Sequence, residues 1–459
     1  VRRREVLRAA GWGLLSALPV AGCSAGGSGT AAVNRPRPDT SASHETAAAT
    51  AGVPTTTRPL TTTRPAADGI GGRLLEADVR RQTPVAAAAA AKQLLPVSAA
   101  LYRTALPGEG NAVLSPYSIV TALGMLALGA RGSTAQQLAT VLGGDAPTVA
   151  RWLGGVDAAL ARAEVASTQN AYGSAPVPAV IEPANAVFVG SDTPVYPAYL
   201  HALATGYGAG VREVHFSAAA AARAAINQWV AQRTHGLIPD LIPPDFVNAD
   251  TITVLVNALY LRAAWANPFD PGTAPMPFTT LSGTVSVPFM TRSDKMLYAS
   301  GPKWQATSIP LSAMLAMTVI VPTAGSFRQV SAGLDAKLLA AATNGQERQV
   351  ELAMPAFTTD VQTDLEKPLT AMGLGSLFNT PDLSGIAPNA LRISGAVHQA
   401  RIAVDDKGIE AAAATAVAIP MSGALPAPPL RLDRPFLYLV HDVDTRTPLF
   451  LGRVTDPTR

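Results

Sequence analysis

A single cysteine, Cys23, is all that the 459 residues contain, so neither an intramolecular disulfide nor a thiolate metal cluster can staple the chain. Charge is sparse as well: charged residues make up 15% of the sequence and the formal net charge is +3. No long Lys/Arg stripe interleaved with aromatics is present, which argues against nucleic acid as a partner. The six histidines, His44, His201, His215, His235, His398 and His441, stand far apart, and no pair flanks a glutamate at zinc spacing. Also missing are a Gly, any, Ser, any, Gly nucleophile elbow and a Gly-Lys-Ser/Thr phosphate loop. The enzymatic reading that survives is a Ser/His/Asp triad assembled from distant positions, since triads are defined by geometry. No cofactor or metal is implied, and no repeat with a period of about 20 to 50 residues points to a solenoid.

What the chain does have is apolar bulk: 48% of its residues are hydrophobic, a level that fits a well-buried core and excludes wholesale disorder. Its length suits two or three average domains or one large mixed one. Near the start, Arg2, Arg3 and Arg4 precede an apolar run over 9–22 that is too short to span a bilayer comfortably. The stretch Leu18-Pro19-Val20-Ala21-Gly22-Cys23 resembles a bacterial lipobox, whose cysteine is acylated. Two acyl chains, at about 0.8 kcal/mol per buried methylene, give stable anchoring. Arg3-Arg4-Glu5-Val6-Leu7-Arg8 also resembles a twin-arginine export signal. The plain alternative is a buried N-terminal helix with an incidental cysteine.

Residues 24–68 are mostly Ala, Thr, Ser, Gly and Pro and cannot bury enough surface to offset their ordering entropy. The expected organisation is therefore a signal segment over 1–22, a lipid-anchored and mostly flexible linker over 23–84, and a folded domain over 85–459. Within the linker, 70–81 is expected to be partly ordered. The expected location is the outside of a bacterial cell envelope, held by lipid, or release from the cell, with the lipid as the sole membrane contact.

Helices crowd the first half of the domain. Ser115 before Pro116 gives an N-cap and a first-position proline, with Ile119, Ala122, Leu123 and Leu126 on one face. Ser133 with Gln136 predicts a capping box and Gly143 a stop. Ser217 predicts the start of a helix carrying Ile226, Trp229 and Val230. Strands are predicted over 186–189, 211–216, 251–261, 317–321 and 349–353. The stretch 251–261 is apolar and β-branched enough to be a central strand covered on both faces. From Leu391 strands predominate, with one long gap between Gly408 and Pro429. This distribution favours an α+β fold over a regular βαβ repeat.

The gap carries an alanine run, Ala411 to Ala414, which on composition reads as helix. Pro420, Gly423, Pro426, Pro428 and Pro429 follow it and break regular structure repeatedly, so the run belongs to a long exposed loop of a kind that is usually functional. Small side chains there pass between loop, helix and strand with little rotamer penalty.

Asp406-Lys407-Gly408-Ile409-Glu410-Ala411-Ala412-Ala413-Ala414-Thr415 resembles the reactive-loop hinge of the serpin superfamily. Further colinear stretches carry the same resemblance: Asn111-Ala112-Val113-Leu114-Ser115-Pro116-Tyr117-Ser118-Ile119, then Val256-Asn257-Ala258-Leu259-Tyr260 with Trp265. Arg434-Pro435-Phe436-Leu437 and Pro448-Leu449-Phe450-Leu451-Gly452-Arg453-Val454 complete the series. The resemblance implies a large central mixed sheet, two smaller sheets, about eight or nine helices and an exposed reactive loop. It also implies a metastable state in which the cut loop becomes an added strand, a form of β-strand addition that releases stored strain.

By the same resemblance the attacked bond is Met421–Ser422, with Ser422–Gly423 as the alternative. Asp406, Gly408, Ile409, Ala411, Ala412, Ala413, Ala414 and Thr415 form the hinge. Ser115, Ser118, Asn257 and His398 are carried over as the residues that open the sheet, with Trp265 at the top of the insertion path. Taken singly, Ser115 also reads as a helix cap, His398 as a satisfied core histidine and Trp265 as packing. Met421 suits a deep apolar primary pocket, and no Arg or Lys occurs between Gly408 and Leu430, so the implied partners of a monomeric inhibitor are serine proteases of chymotrypsin-like or elastase-like preference, with cysteine proteases as the alternative class. Asp406 and Ile409 depart from the family, which prefers Glu and Thr or Ser there. The rival reading is a non-inhibitory member acting as carrier, chaperone or adhesion module.

Overall fold

The computed structural model describes residues 71–82, 88–169, 179–272, 274–388, 391–410 and 429–459. Two sheets organise them. The first has seven strands in the order β1-β4-β3-β5-β13-β12-β11. These are β1 (Arg73–Leu75), β3 (Val180–Gly190), β4 (Val211–Val214), β5 (Thr253–Ala264), β11 (Phe357–Asp364), β12 (Ile393–Val404) and β13 (Gly408–Ile409). The second comprises β2 (Ala112–Leu114), β6 (Pro275–Thr279), β7 (Thr284–Gly301), β8 (Trp304–Pro310), β9 (Leu315–Pro322), β10 (Gln346–Pro355), β14 (Leu430–Arg431), β15 (Phe436–Asp442) and β16 (Pro448–Val454). Its path runs β14-β10-β7-β8-β9-β15-β16-β2, with β6 pairing β7 off the path.

The two smaller sheets expected from the sequence are thus one continuous path among the described residues. The reason is the length of β7, which pairs with β10 from Phe289 to Tyr298 and with β8 from Leu297 to Gly301. Among the described residues, eight helices have six residues or more. They are α1 (Ala88–Ala105), α2 (Pro116–Gly129), α3 (Gly132–Leu142), α4 (Ala146–Gln169), α5 (Pro197–Tyr207), α6 (Ala219–Arg233), α7 (Phe327–Ala332) and α8 (Ala336–Ala342).

Helix α2 lies between the sheets, touching β3 and β5 on one side and β16 on the other. That position explains its sequence, which is apolar all round, as a helix buried on every face must be. Ser115 caps it by accepting from the Ser118 N–H at 3.2 Å. Two other predicted helix starts differ. The capping box at Ser133 does not form, because α3 begins at Gly132 with Arg131 as an N-cap whose side chain makes no capping bond. Ser217 falls in a short 3-10 turn, Phe216–Ala218, that precedes α6. Gly143 does end α3, in the left-handed conformation at φ 76°, where glycine meets no Cβ penalty.

Strand β5 is buried along nearly its whole length, as its run of β-branched residues demands. In the second sheet β15 and β16 are buried throughout. Arg453 on β16 is 3% exposed and satisfies its guanidinium on the carbonyls of Leu106, Gly108 and Gly110, which pins the connection between α1 and β2. Residues 71–82 join the fold upstream of the boundary expected at 85, with β1 pairing antiparallel to β4. Among the described residues no helix is long and apolar enough to cross a membrane.

Candidate functional site

The site is a seam in the first sheet. Strands β5 and β12 run parallel and pair from Thr253 with Ile393 to Ala258 with Gln399. Beyond that point they part, and β13 occupies the gap: Gly408 pairs with Ala264, and Ile409 with Ala263 on one side and Val404 on the other. The chain immediately after β12 has therefore turned back and entered the sheet as a strand of two residues. Ile409 is 1% exposed there, a position that suits a β-branched apolar side chain.

Gly408 is required by close approach. Its φ is 154°, and a Cβ would stand 2.3 Å from the Ala263 carbonyl oxygen. The reversal before it is held by Asp405, whose Oδ1 accepts from the N–H groups of Lys407 at 2.8 Å and Gly408 at 3.1 Å. Trp265, just past the end of β5, clamps the same turn. Its backbone N–H donates to the Lys407 carbonyl at 2.9 Å and its indole N–H to the Asp405 carbonyl at 2.8 Å. The Phe269 N–H donates to the Asp406 carbonyl at 2.9 Å, and its ring meets Trp265 edge to face at 5.4 Å. Glu410 follows in the left-handed region, φ 50°. Burial raises its carboxyl above the usual range, opposed by the charge of Arg401, which lies 3.9 Å away.

A second cluster lies at the middle of the seam. Asn257 is eight residues before Trp265 on the strand, hence roughly 25 Å distant at 3.3 Å per residue. His398 is fully buried. Its Nε2 accepts from the Ser115 N–H at 2.9 Å, which leaves Nδ1 protonated and donating to the Asn257 side-chain oxygen at 2.5 Å. The ring is neutral: burial lowers its pKa to about 4. Asn257 also donates to the Val397 carbonyl at 3.3 Å. The Ser118 hydroxyl lies 2.6 Å from the Asn185 side-chain oxygen and 3.2 Å from the Ala258 carbonyl.

The structure thus joins Ser115, Ser118, Asn257 and His398 in one network bridging α2, β5 and β12, and places Trp265 with Asp406, Gly408 and Ile409 at the other cluster. Ser115 caps its helix and serves the network at once. Sequence reasoning missed Asn185, which pairs with Asn257 across β3 and β5; an amide amid the apolar stretch 184–189 was the available signal. Cys23, Ala411, Ala412, Ala413, Ala414, Thr415, Met421, Ser422 and Gly423 lie outside the described residues. No group of three or more His, Cys, Asp or Glu among the described residues could hold a metal ion.

The family profile described as Serpin (serine protease inhibitor) matches residues 96–457. The chain belongs to the serpin superfamily. A serpin-like protein of Thermococcus kodakarensis is 33% identical over 366 residues, 78% of this chain and 83% of the relative. Alpha-1-antiproteinase of Rattus norvegicus is 31% identical over 357 residues, 76% of this chain and 84% of the relative. Among solved structures, human thyroxine-binding globulin complexed with its hormone superposes with a TM-score of 0.68 at 27% identity, covering 81% of this chain and all of that one. Serpins are generally protease inhibitors rather than catalytic enzymes.

Proposed function

We propose that this serpin inhibits serine proteases as a suicide substrate, its loop being cut and then inserted between β5 and β12. The observation that carries the reading is β13: two residues of the hinge already occupy the gap in the pairing register an inserted strand would use. Continued from Gly408 beside Ala264 and Ile409 beside Ala263, that register advances one loop residue for each residue back along β5. The ladder then runs out with Ile419 opposite Thr253, since β5 has 12 residues. Pro420, with no N–H to donate, follows at once, and the proposed scissile bond Met421–Ser422 lies just outside the sheet.

The side chains agree with that strand. Alternation puts Ala411, Ala413, Thr415, Val417 and Ile419 on the buried face of Ile409, and only Glu410 and alanines on the other. The same count brings Thr415 between Asn257 and His398, whose mutual hydrogen bond an inserted strand must break. A hydroxyl delivered there offers both a new partner, which buried polar groups require.

In the reaction, the target's serine oxygen bonds to the Met421 carbonyl carbon and the Met421–Ser422 bond breaks. The Ser422 nitrogen takes the proton that the target's own base removed from the serine, and the acyl-enzyme is left as an ester on Met421. About ten to fifteen new backbone hydrogen bonds at roughly 0.5 to 1.5 kcal/mol each supply on the order of 10 kcal/mol for insertion, comparable to the stability of a typical domain. Met421 favours chymotrypsin-like or elastase-like targets, and Ser422–Gly423 is the alternative bond. We further read residues 1–22 as an export signal, 23–84 as a lipid-anchored linker whose last part, 71–82, docks on the domain, and 85–459 as the inhibitory domain of a monomer held at, or released from, a bacterial surface.

Incubation with chymotrypsin and with elastase tests the proposal. A covalent complex that survives boiling in detergent is expected, with the new N-terminus at Ser422. A panel of serine proteases yielding only nicked chain would favour the second reading, a binding or carrier protein, for which thyroxine-binding globulin in complex with thyroxine offers a precedent on this fold.

A further inference from the structure

Strand β13 stops at a charged residue in an unfavourable conformation. Glu410 follows Ile409 with φ 50°, a region that a residue with a side chain enters only at a cost. Its N–H still donates to the Ala403 carbonyl of β12 at 3.0 Å, so pairing on that side has already reached it. On the β5 side pairing ends at Ile409 beside Ala263.

The Glu410 carboxylate is poorly provided for where it stands. Its side chain is 13% exposed, and the cation that meets it, Arg401, is 3.9 Å away and lies closer, at 3.4 Å, to Asp360 on β11. Across the gap stands a cation in the opposite position. Arg262 on β5 is half-buried, and its guanidinium makes no hydrogen bond or ion pair among the described residues. The Tyr260 hydroxyl, two residues back along β5, feels the charges of Arg262, Glu410 and Glu182. That phenol is neutral, its pKa raised by burial, and Glu182 is engaged 3.4 Å from the His235 ring nitrogen, so neither is an ion-pair partner for Arg262.

The register joins the two charges. Gly408 lies opposite Ala264 and Ile409 opposite Ala263, so the next residue, once extended, lies opposite Arg262. Directly opposed side chains of an antiparallel pair share a face, with Cβ atoms about 4.5 to 5.5 Å apart. A change at one residue, from the left-handed to the extended region, therefore carries Glu410 from Arg401 to Arg262, while Arg401 keeps Asp360.

We infer that Arg262 is a positioning residue for insertion: it receives the Glu410 carboxylate as the strand grows past Ile409, and the pair holds the first added rung while the rest of the loop follows. The inference rests on the inhibitory reading above and adds to it the residue that favours the first step.

The protease that yields the covalent complex, chymotrypsin or elastase, is the probe, and the readout is the partition between complex and nicked chain on a detergent gel. Arg262→Gln should raise the number of inhibitor molecules consumed per protease about threefold, the worth of one cross-strand ion pair, and Arg262→Lys should restore the wild-type value. In a Glu410→Gln background Arg262→Gln should cost nothing further, as a pair requires and a general weakening of the sheet does not. The intact Arg262→Gln chain should melt where the intact wild type does, because Arg262 has no ion pair to lose before insertion. Equal cost in both backgrounds would overturn the inference, as would wild-type partition in Arg262→Gln or a lowered melting point of its intact chain; each leaves the inhibitory reading standing. Should the wild type trap no protease, the same cycle is read in the rise of the thermal midpoint on nicking, which needs insertion but no trapped enzyme. A wild-type midpoint that nicking does not move would end this inference together with the insertion on which it depends.

Discussion

His398 gives up its solvent to sit between Ser115 and Asn257, and the consequence is a pH dependence of definite sign. Burial lowers its pKa from 6.5 to about 4, and burial does the same to His441, whose Nε2 lies 2.8 Å from the Thr318 hydroxyl. Between those pH values the unfolded chain binds protons that the native one refuses. Stability is therefore full above about 6.5 and falls as the pH drops toward about 4, by roughly a factor of ten in the folding equilibrium per pH unit for each histidine. The unfolding midpoint in urea should fall across that window, and His398→Gln should remove about half of the slope. A midpoint unchanged through the window would contradict the neutral assignment. Gly408→Ala is expected to expel β13 at a cost of about 1 to 3 kcal/mol, read as faster proteolysis between Gly408 and Ala411. Ser115, Ser118, Asn257 and His398 were legible through the serpin resemblance; taken singly, Ser115 also reads as a helix cap and His398 as a satisfied core histidine. Asn185, an amide in an apolar stretch, lies one residue before the predicted strand 186–189 and has no place in that resemblance as drawn.

The hinge is the element on which inhibition turns, and its register makes each loop position testable. Ala411 falls on the buried face of the inserted strand, beside Leu261 and Ile402, both buried. Ala411→Arg should bring a charge into the core early in insertion and convert inhibitor to substrate, with nicked chain replacing the covalent complex on a detergent gel. Thr415→Val keeps the shape and removes the hydroxyl that would stand between Asn257 and His398. It should leave cleavage intact and lower the yield of complex, since an unpaired buried polar group costs about 1 to 3 kcal/mol. An unchanged yield would show that the seam re-pairs by another route. Among elements, those whose burial is uniform were the easiest to read: α2 and β5 are apolar throughout because they are enclosed. Helix starts fared worse. Ser133 and Ser217 have the right side chains, but α3 starts two residues earlier than a Ser133 cap would set it and a 3-10 turn precedes α6; local capping rules do not see the tertiary contacts, such as Arg131 N–H to the Asp382 carbonyl, that set such starts. The long β7 escaped prediction because the polar run Thr291-Arg292-Ser293-Asp294-Lys295 interrupts its apolar alternation, and it serves two neighbours in turn.

At the scale of the molecule, the proposal is that the native sheet is not the most stable arrangement open to the chain. Nicking the loop between Gly408 and Met421 should therefore raise the thermal midpoint strongly, because a complete strand would replace two residues of one. A nicked protein that melts where the intact one does would end the insertion model. Attachment is separable from folding: Cys23→Ser should shift the protein from the membrane to the soluble fraction, and retention would refute acylation. The sequence foretold the joining of distant parts through the serpin resemblance; periodicity alone placed β5 and β12 as strands but not as neighbours. It foretold partial order over 70–81 but not that this segment would dock as a strand. Yet β1 covers the outer edge of β4, while Arg81 reaches Asp157 on α4. A chain shortened to begin at residue 83 would leave the amides and carbonyls on that rim unmatched, an open template for another molecule's strand. Filaments or stacked dimers, rather than loss of folding, would be the signature of that trimming.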